Sequence, residues 1–330
     1  MAAPLAVTMG EPAGIGGDIV LAAWSLAASA RVAPFFVIDD ANRLAALAQR
    51  IGLAVPIARI DRPEAAASAF GAALPVLHRP LPRPIEPGRP DPSASASVTG
   101  AIDEAVALAR AGRAAAVVTN PINKKVLYDA GFAFPGHTEY LAALAGGVRV
   151  AMMLASPELR VVPVTVHMAL AEAIARLTQS DIVACGRLTA EALARDFGIA
   201  RPRLAVAGLN PHAGEEGAMG EEDGRIVAPA VAALRAAGID ARGPMPPDTM
   251  FHAAARAGYD AALCMYHDQA LIPLKTLDFE GGVNVTLGLP FVRTSPDHGT
   301  AFDIAGTGRA RPASLIAAMR LAAEIAARRG

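Results

Sequence analysis

The chain has 330 residues, of which 53% are hydrophobic and 18% charged, so it can bury a large core without disulfide bonds. Its net charge of −1 at pH 7 offers no basic surface for nucleic acid or anionic lipid. It has only two cysteines, Cys185 and Cys264, no signal-peptide pattern and no long uncharged apolar run, which predicts a soluble cytoplasmic protein without a membrane span.

Short apolar runs rich in β-branched residues alternate with Ala- and Leu-rich segments of helical period, which predicts an α/β fold with parallel strands. The predicted strands are PLAVTMG (4–10), PFFVIDD (34–40), AAAVVTNP (114–121), RVAMMLAS (149–156), LRVVPVTVH (159–167), RPRLAVAGLNP (201–211) and AALCMYHD (261–268). The predicted helices, each closed by a capping glycine, are 42–52, 100–112, 179–198 and 225–238.

Polar loops follow four of these strands: TNPINKK, VTVH, GLNPHAGEEG and MYHDQ. Ligands of open α/β sheets bind beyond the carboxyl ends of the strands, so the loops predict one shared cleft. Three of them carry His167, His212 and His267, and three imidazoles form a site for Zn²⁺ or a similar ion. For any one of these histidines, a surface or core role without a ligand is the alternative. Asp268 supports the metal site or is a solvated turn residue.

A second group of side chains is typical of an anion site. His137 and Thr138 in GHTEY, Lys275, Asn284 and Arg293 supply donors and positive charge from separate loops. A phosphate monoester requires several directional donors, and arginine binds it through a planar fork. Capping or surface roles are the alternatives for each residue taken singly.

Three glycine- or proline-rich segments complete the pattern. GEPAGIGGD (10–18) follows a strand and opens a predicted helix, yet it lacks the third glycine of the dinucleotide-binding fingerprint. The proline-rich segment 78–97 predicts an extended loop, and 208–223 predicts a mobile lid or a solvated connector.

Taken together, these motifs resemble the 4-hydroxythreonine-4-phosphate dehydrogenase family of pyridoxal phosphate biosynthesis. The matching strings, which span nearly the whole chain, are TMGEPAGIGGDIV, TNPINK, FPGHTEYLA, VTVHMAL, GLNPHAGEEGAMGEED, PPDTMF, MYHDQALIPLK and GVNVTLGLPFVRTSPDHGTAFDIAGTG. Many members read GDPAGIGPE at the first motif, where this chain has Glu11, Gly17 and Asp18, and we expect no change of activity from this difference.

The resemblance implies a fold of two α/β/α domains of isocitrate/isopropylmalate dehydrogenase-like type with a cleft between them. We expect an NAD-side domain over 1–125 and 285–330, and a domain for metal, substrate and dimerisation over 126–284. HGTAFDIAG is similar to the adenine-side loop of that fold, which implies cofactor binding by Gly299, Thr300 and Asp303.

The resemblance further implies that His167, His212 and His267 bind a divalent metal, and that the site forms at a homodimer interface where His267 reaches the partner's metal. Zn²⁺ is the first choice, with Co²⁺ or Mg²⁺ as alternatives. The substrate-binding residues that it implies are His137, Thr138, Lys275, Asn284 and Arg293. Asp248 and Lys275 are the candidate catalytic residues, Lys275 acting as a proton relay or only as a phosphate ligand.

The implied reaction is NAD- or NADP-dependent oxidation of 4-phosphooxy-L-threonine to 2-amino-3-oxo-4-phosphooxybutanoate, which decarboxylates to 3-amino-2-oxopropyl phosphate. Relatives that oxidise 4-phospho-D-threonate, erythronate-type sugar acids or cis-dihydrodiols would share the histidines, but the phosphate ligands argue against a dihydrodiol. A metal-dependent phosphohydrolase and a non-catalytic phosphometabolite-binding protein are the alternatives from other classes, and HGTAFDIAG argues against the hydrolase.

Overall fold

The computed structural model describes residues 3–330 and divides the chain into two compact units. The first unit runs up to Val148 and includes Leu289–Ala327, and the second comprises Arg149–Gly288 with Arg328–Gly330. The chain thus leaves the first unit, builds the second and returns to the first.

The described residues form twelve strands, most of them short and buried. They are β1 (Leu5–Thr8), β2 (Phe35–Asp39), β3 (Ile57–Ile60), β4 (Leu74–His78), β5 (Val117–Val118), β6 (Ala151–Ala155), β7 (Arg160–Pro163), β8 (Arg203–Ala207), β9 (Asp240–Met245), β10 (Ala261–Cys264), β11 (Val283–Leu287) and β12 (Arg293–Pro296). All seven predicted strands are present.

Between residues 3 and 330 the chain forms thirteen α-helices. They are α1 (Gly16–Ser25), α2 (Ala41–Arg50), α3 (Ala66–Ala69), α4 (Ser95–Arg110), α5 (Lys124–Asp129), α6 (His137–Leu144), α7 (Leu170–Arg176), α8 (Gln179–Phe197), α9 (Ala228–Ala236), α10 (Pro247–Met250), α11 (Ala253–Arg256), α12 (His267–Leu277) and α13 (Ala313–Arg329). None of them combines the length and the apolar character that a membrane crossing requires. Each of the four predicted helices is present, and Gly198 caps α8 in the left-handed conformation.

In the first unit the strands lie in the order β3-β4-β2-β1-β5-β12, and every pair is parallel. The strand sequences explain this arrangement, because FFVID in β2 and LAVT in β1 are buried along their whole length. Strands covered on both faces show such continuous apolar runs. Beyond β4 the proline-rich segment is an irregular loop up to a short 3₁₀ turn at Pro92–Ala94, as predicted.

In the second unit the order is β11-β6-β7-β10-β8-β9, and this sheet is mixed. β7, β10, β8 and β9 are parallel, whereas β6 runs antiparallel to both β11 and β7. The expectation of parallel strands is therefore wrong for β6. β6 is joined to β7 by a short turn, which is closed by a hydrogen bond from the Ser156 amide to the Leu159 carbonyl at 2.9 Å. Parallel neighbours need a long crossover connection, so two strands joined by this turn run antiparallel.

The first boundary between the compact units differs from the expected domain boundary near residue 125. Helices α5 and α6 belong to the first unit, where Arg110 at the end of α4 donates to the Leu144 carbonyl at 2.9 Å and the Tyr140 hydroxyl bonds to Asp103. The second boundary, at Leu289, lies close to the expected residue 285. The roles assigned to the two domains stay predictions.

We predict that Gly100→Ala stabilises the protein. Gly100 lies exposed within α4, and an added Cβ meets no atom within 4 Å. Replacing glycine in a helix interior by alanine is worth about 0.5–1 kcal/mol, so the thermal unfolding midpoint should rise by about 2 °C. Gly288→Ala is the matched control and should lower the midpoint, because its φ is +89° and its Cβ would lie 2.4 Å from the Arg149 carbonyl oxygen. A lower midpoint for Gly100→Ala would contradict the prediction.

Candidate functional site

Backbone strain is concentrated in three of the predicted functional loops. Among residues 3–330, seven non-glycine residues have positive φ, and six of them lie in these loops: His167, His212, Ala213, Glu215, Glu216 and Ala301. This left-handed conformation costs about 1–2 kcal/mol per residue, and it persists where surrounding structure enforces it. Two of the three predicted metal ligands are thus held in a conformation that their own side chains disfavour.

Three of the residues predicted to bind an anion, His137, Thr138 and Arg293, lie in the first unit, two of them at the N-terminus of α6. His137 is the first residue of this helix, and no side chain caps the helix start at Gly136. Arg293, only 2% exposed, donates from Nη2 to the Thr119 hydroxyl at 2.6 Å. Burial lowers the pKa of Arg293 to about 10, so the guanidinium still carries its charge at neutral pH. The free amides of a helix start and a buried cation together favour an anion.

His137 faces this positive charge as a neutral imidazole. Burial, with the nearby positive charges of Arg293 and Lys124, holds the pKa of His137 well below its usual value. Its Nε2 is enclosed and has no hydrogen-bond partner among the described residues. Buried polar atoms are rarely left in this state, so a ligand is the natural partner for this nitrogen. Thr138 follows His137 in the first turn of α6 and is half-buried.

Lys124 is a cation of this site that the sequence analysis did not assign. A Cβ built on Gly136 would lie 3.5 Å from both the Lys124 Nζ and the Glu139 Oε2, which places an ammonium and a carboxylate beside the start of α6. The lysine occupies the first position of α5, just after the Asn123 cap. Its motif, TNPINKK, was predicted to be functional because it follows a strand. The location of the motif does not indicate which of its two lysines lies beside α6.

The loop that carries Gly299, Thr300 and Asp303 is fastened to the glycine turn before α1. The Ile15 amide donates to the Thr300 carbonyl at 3.0 Å, and a Cβ on Gly14 would lie 2.9 Å from the same oxygen. Gly299 and Asp303 are exposed, and Thr300 is half-buried. The neighbouring His298 has a buried Nε2 without a partner in the described part of the chain.

Asp18 provides a second attachment for this loop. Its Oδ1 accepts a hydrogen bond from the Gly306 amide at 3.0 Å, and Arg50 donates to the Gly306 carbonyl at 3.2 Å. Burial raises the pKa of the Asp18 carboxyl. No pattern in the sequence indicates this role of Asp18, because its partner lies 288 positions away.

The proline-rich loop forms a wall of a cavity of about 580 Å³ next to the same turn. The cavity lies beyond the carboxyl ends of β2 and β4, and its lining includes Pro12, Asn42, Arg43 and Arg50. Arg43 is already neutralised by Asp39 at 2.5 Å and donates to the Pro12 carbonyl at 3.0 Å. The arginine therefore fixes the shape of the glycine turn.

In the second unit, His167 and His267 lie side by side. Their ring centres are 6.0 Å apart, and both line a cavity of about 380 Å³ at the ends of β7 and β10. Two imidazoles on one Zn²⁺ have ring centres roughly 5–6 Å apart, given bonds of about 2.0–2.1 Å. Asp268 lies 2.7 Å from the His267 Nδ1, which leaves Nε2 of His267 as the atom to bind a ligand. The pair therefore fits a divalent metal.

His212 lies apart from this pair on an exposed left-handed turn within Pro211–Gly217. Between residues 3 and 330, no three His, Cys, Asp or Glu side chains come together in an arrangement that could hold a metal ion. The buried Asp223 clamps the base of the turn, since its carboxylate accepts from the Leu209 and Asn210 amides at 2.7 and 2.9 Å. The structure thus brings together two of the three predicted ligands.

The remaining predicted residues of the second unit have different environments. Asn284 lies in β11, and its Oδ1 is buried without a partner in the described residues. Lys275, in the last turn of α12, has its Nζ 5.7 Å from the centre of the Phe279 ring. Asp248 is exposed in the first turn of α10. Of the four polar loops, TNPINKK belongs to the first unit and the other three to the second, and their common cleft stays a prediction.

Known proteins with similar sequences and structures define the class of this chain. It is 56% identical to the 4-hydroxythreonine-4-phosphate dehydrogenase of Bradyrhizobium diazoefficiens, over 99% of this chain and 98% of the relative. The crystal structure of 4-hydroxythreonine-4-phosphate dehydrogenase from Klebsiella pneumoniae is 42% identical and matches with a TM-score of 0.88, covering 98% of this chain and 99% of that one. The terephthalate 1,2-cis-dihydrodiol dehydrogenase of Burkholderia xenovorans LB400 matches at 29% identity and a TM-score of 0.65, covering 98% of both chains. The class is therefore an α/β dehydrogenase.

The particular family follows from the sequence model that matches residues 31–322, described as pyridoxal phosphate biosynthetic protein PdxA. The chain belongs to this family. The resemblance drawn from the motifs is confirmed.

We predict that an anion bound at His137 draws a proton from solution. The free imidazole is neutral at pH 7 because its pKa is lowered, and a bound dianion raises that pKa, so binding should weaken as pH rises. Calorimetric titration with sulfate in buffers of different ionisation enthalpy measures the uptake. His137→Asn should abolish it, whereas His252→Asn should not, since His252 is only an exposed helix cap of α11. Equal uptake in both variants would contradict the assignment.

Proposed function

We propose that this protein oxidises 4-phosphooxy-L-threonine with NAD to 2-amino-3-oxo-4-phosphooxybutanoate, which then loses CO₂ to give 3-amino-2-oxopropyl phosphate for pyridoxal phosphate biosynthesis. The observation that carries the proposal is the buried guanidinium of Arg293 near the neutral imidazole of His137, with the exposed ammonium of Lys124 beside the start of the same helix. A phosphate monoester offers oxygens that accept hydrogen bonds and a negative charge that matches the buried guanidinium, whereas an uncharged dihydrodiol offers no such charge. The names of the relatives support the same substrate.

The proposed substrate-binding residues are His137, Thr138, Lys275, Asn284 and Arg293. In the first unit His137, Thr138 and Arg293 bind the phosphate, with Lys124 as an added cation. In the second, Asn284 presents an enclosed Oδ1 that accepts from the substrate, such as from its ammonium group. Lys275 and Asp248 are the candidates for moving the proton of the substrate hydroxyl.

We propose that His167, His212 and His267 hold one divalent ion, Zn²⁺ first, with Co²⁺ or Mg²⁺ as alternatives. Imidazole ligands favour the first two of these ions over Mg²⁺. A bound ion supplies a Lewis acid that lowers the pKa of the substrate hydroxyl and stabilises the negative charge of the decarboxylation step. Asp268 orients His267 through the bond at Nδ1 and keeps its Nε2 available.

The dinucleotide, NAD or NADP, is proposed to bind at the loop of Gly299, Thr300 and Asp303. Support comes from the fastening of this loop to the glycine turn and from the buried His298 Nε2, which lacks a partner in the described residues. A polar atom enclosed in this way is available to a cofactor group.

We further propose that the active form is a homodimer in the cytoplasm. The histidine pair is bordered by exposed apolar side chains of the same unit, Met168 and Leu170, which are 37% and 54% exposed. Such apolar surface marks association sites. A second copy of the chain covers it and completes a ligand set that the described residues of one chain do not assemble.

The substrate assignment is tested by NADH formation with the purified protein. We expect turnover of 4-phosphooxy-L-threonine, loss of turnover after chelation, and recovery with Zn²⁺ or Co²⁺. Turnover of the amine-free 4-phospho-D-threonate alone would overturn the substrate and support the sugar-acid alternative. Parallel assays with NADP establish the cofactor preference.

The two-chain site is tested by mixing inactive variants. We expect His167→Ala, His212→Ala and His267→Ala each to abolish turnover, because each removes a ligand. If two ligands come from different chains, subunit exchange between the corresponding variants creates one intact site in each heterodimer. Random pairing makes about half of the dimers heterodimers, so about one quarter of wild-type activity should return if the sites act independently. At least one of the three pairings should do so. No recovery in any pairing, with exchange verified by differently tagged chains, would contradict a shared site.

A further inference from the structure

A buried glutamine joins two of the histidine loops in the second unit. Gln269 is 6% exposed and lies in the first turn of α12, two residues after His267. Its Nε2 donates to the Gly208 carbonyl at 2.7 Å, and its Oε1 accepts from the Met265 amide at 2.6 Å. Both hydrogen-bonding functions of the carboxamide are therefore used, one on each loop.

The glutamine occupies the place where two parallel strands stop pairing. β8 and β10 pair from Ala261↔Leu204 to Leu263↔Val206, and the chains then continue into the loops of His212 and His267. Beyond the last pair, buried backbone groups need new partners. The side chain of Gln269 supplies them for Gly208 and Met265, so it extends the link between the strands past the end of the ladder.

Two further bonds connect the remaining functional loops to the same point. The Thr165 hydroxyl, two residues before His167, donates to the Met265 carbonyl at 2.7 Å. The Gly208 amide donates to the Met245 carbonyl at 2.8 Å, three residues before Asp248. Four loops thus bond to the backbone of Gly208 or Met265. Of the side chains of Gln269 and Thr165, only that of Gln269 bonds to both residues.

We propose that Gln269 is a positioning residue of the histidine site. It fixes the spacing between the loop of His212 and the loop of His267, and Thr165 fixes the loop of His167 against the same strand end. A neutral carboxamide donates to one loop and accepts from the other, whereas a carboxylate lacks the donor and a thioether lacks the donor and accepts only weakly. This inference rests on the proposed role of the three histidines as metal ligands.

The test is the affinity of the metal-free homodimer for Co²⁺, followed by the visible absorption of the bound ion and by competition with a chelator. Loss of a group that orients metal ligands typically weakens binding about 10- to 100-fold, and we expect this range for Gln269→Met and Gln269→Glu. Thr165→Val should weaken binding in the same direction. Thr189→Val is the matched control, because its buried hydroxyl donates only to the Cys185 carbonyl within α8, and its Co²⁺ affinity should equal that of the wild type.

Thermal unfolding with and without Co²⁺ separates positioning from simple structural support. A merely structural role lowers the midpoint of Gln269→Met equally in both conditions, whereas a positioning role also reduces the rise that Co²⁺ produces. Wild-type Co²⁺ affinity in a folded Gln269→Met protein would overturn the proposal. If that variant does not fold, wild-type affinity in Thr165→Val and Gln269→Glu would do the same. A wild-type protein that binds no Co²⁺ would instead contradict the proposed metal site itself.

Discussion

Backbone groups at the ends of buried parallel strands lose their ladder partners while they are still shielded from water. In the second unit this happens at Gly208 and Met265, and the side chains of Gln269 and Thr165 take over the bonding. The histidine loops begin at these same points, so their spacing depends on how the strand ends are satisfied. Leaving a buried amide or carbonyl without a hydrogen bond costs about 1–3 kcal/mol. A substitution that removes only one of these side chains therefore destabilises the strand ends.

The two units contribute different chemistry. The first encloses positive charge at Arg293 and keeps His137 neutral, which suits a group that arrives with its own negative charge. The second keeps its histidines at the surface, with His167 and His212 exposed, where an ion and a second chain can reach them. In the proposed function, burial favours the phosphate of the substrate, and exposure leaves the histidines accessible to an ion and a second chain.

Much of the fold and part of the site followed from local sequence. Seven of the twelve strands were predicted, whereas β3, β4, β9, β11 and β12 were missed. Polar residues or proline weaken their apolar pattern: Arg59 in β3, Pro75 in β4, Asp240 at the start of β9, Asn284 in β11 and Arg293 at the start of β12. His167 and His267 were predicted from their positions after strands, and the structure places them 6.0 Å apart. The roles of Asp18 and Gln269 depend on partners 288 and 61 positions away, for which the sequence holds no periodicity or motif.

The left-handed residues of the functional loops have a consequence for how this protein can evolve. At Ala301 and Glu215, with φ of 42° and 41°, glycine or asparagine would relax the backbone. A lineage under pressure for heat resistance alone would therefore find stabilising changes in these loops. The same changes would loosen the geometry that the surrounding structure now enforces, so a gain in thermal tolerance at these positions trades against a prearranged site.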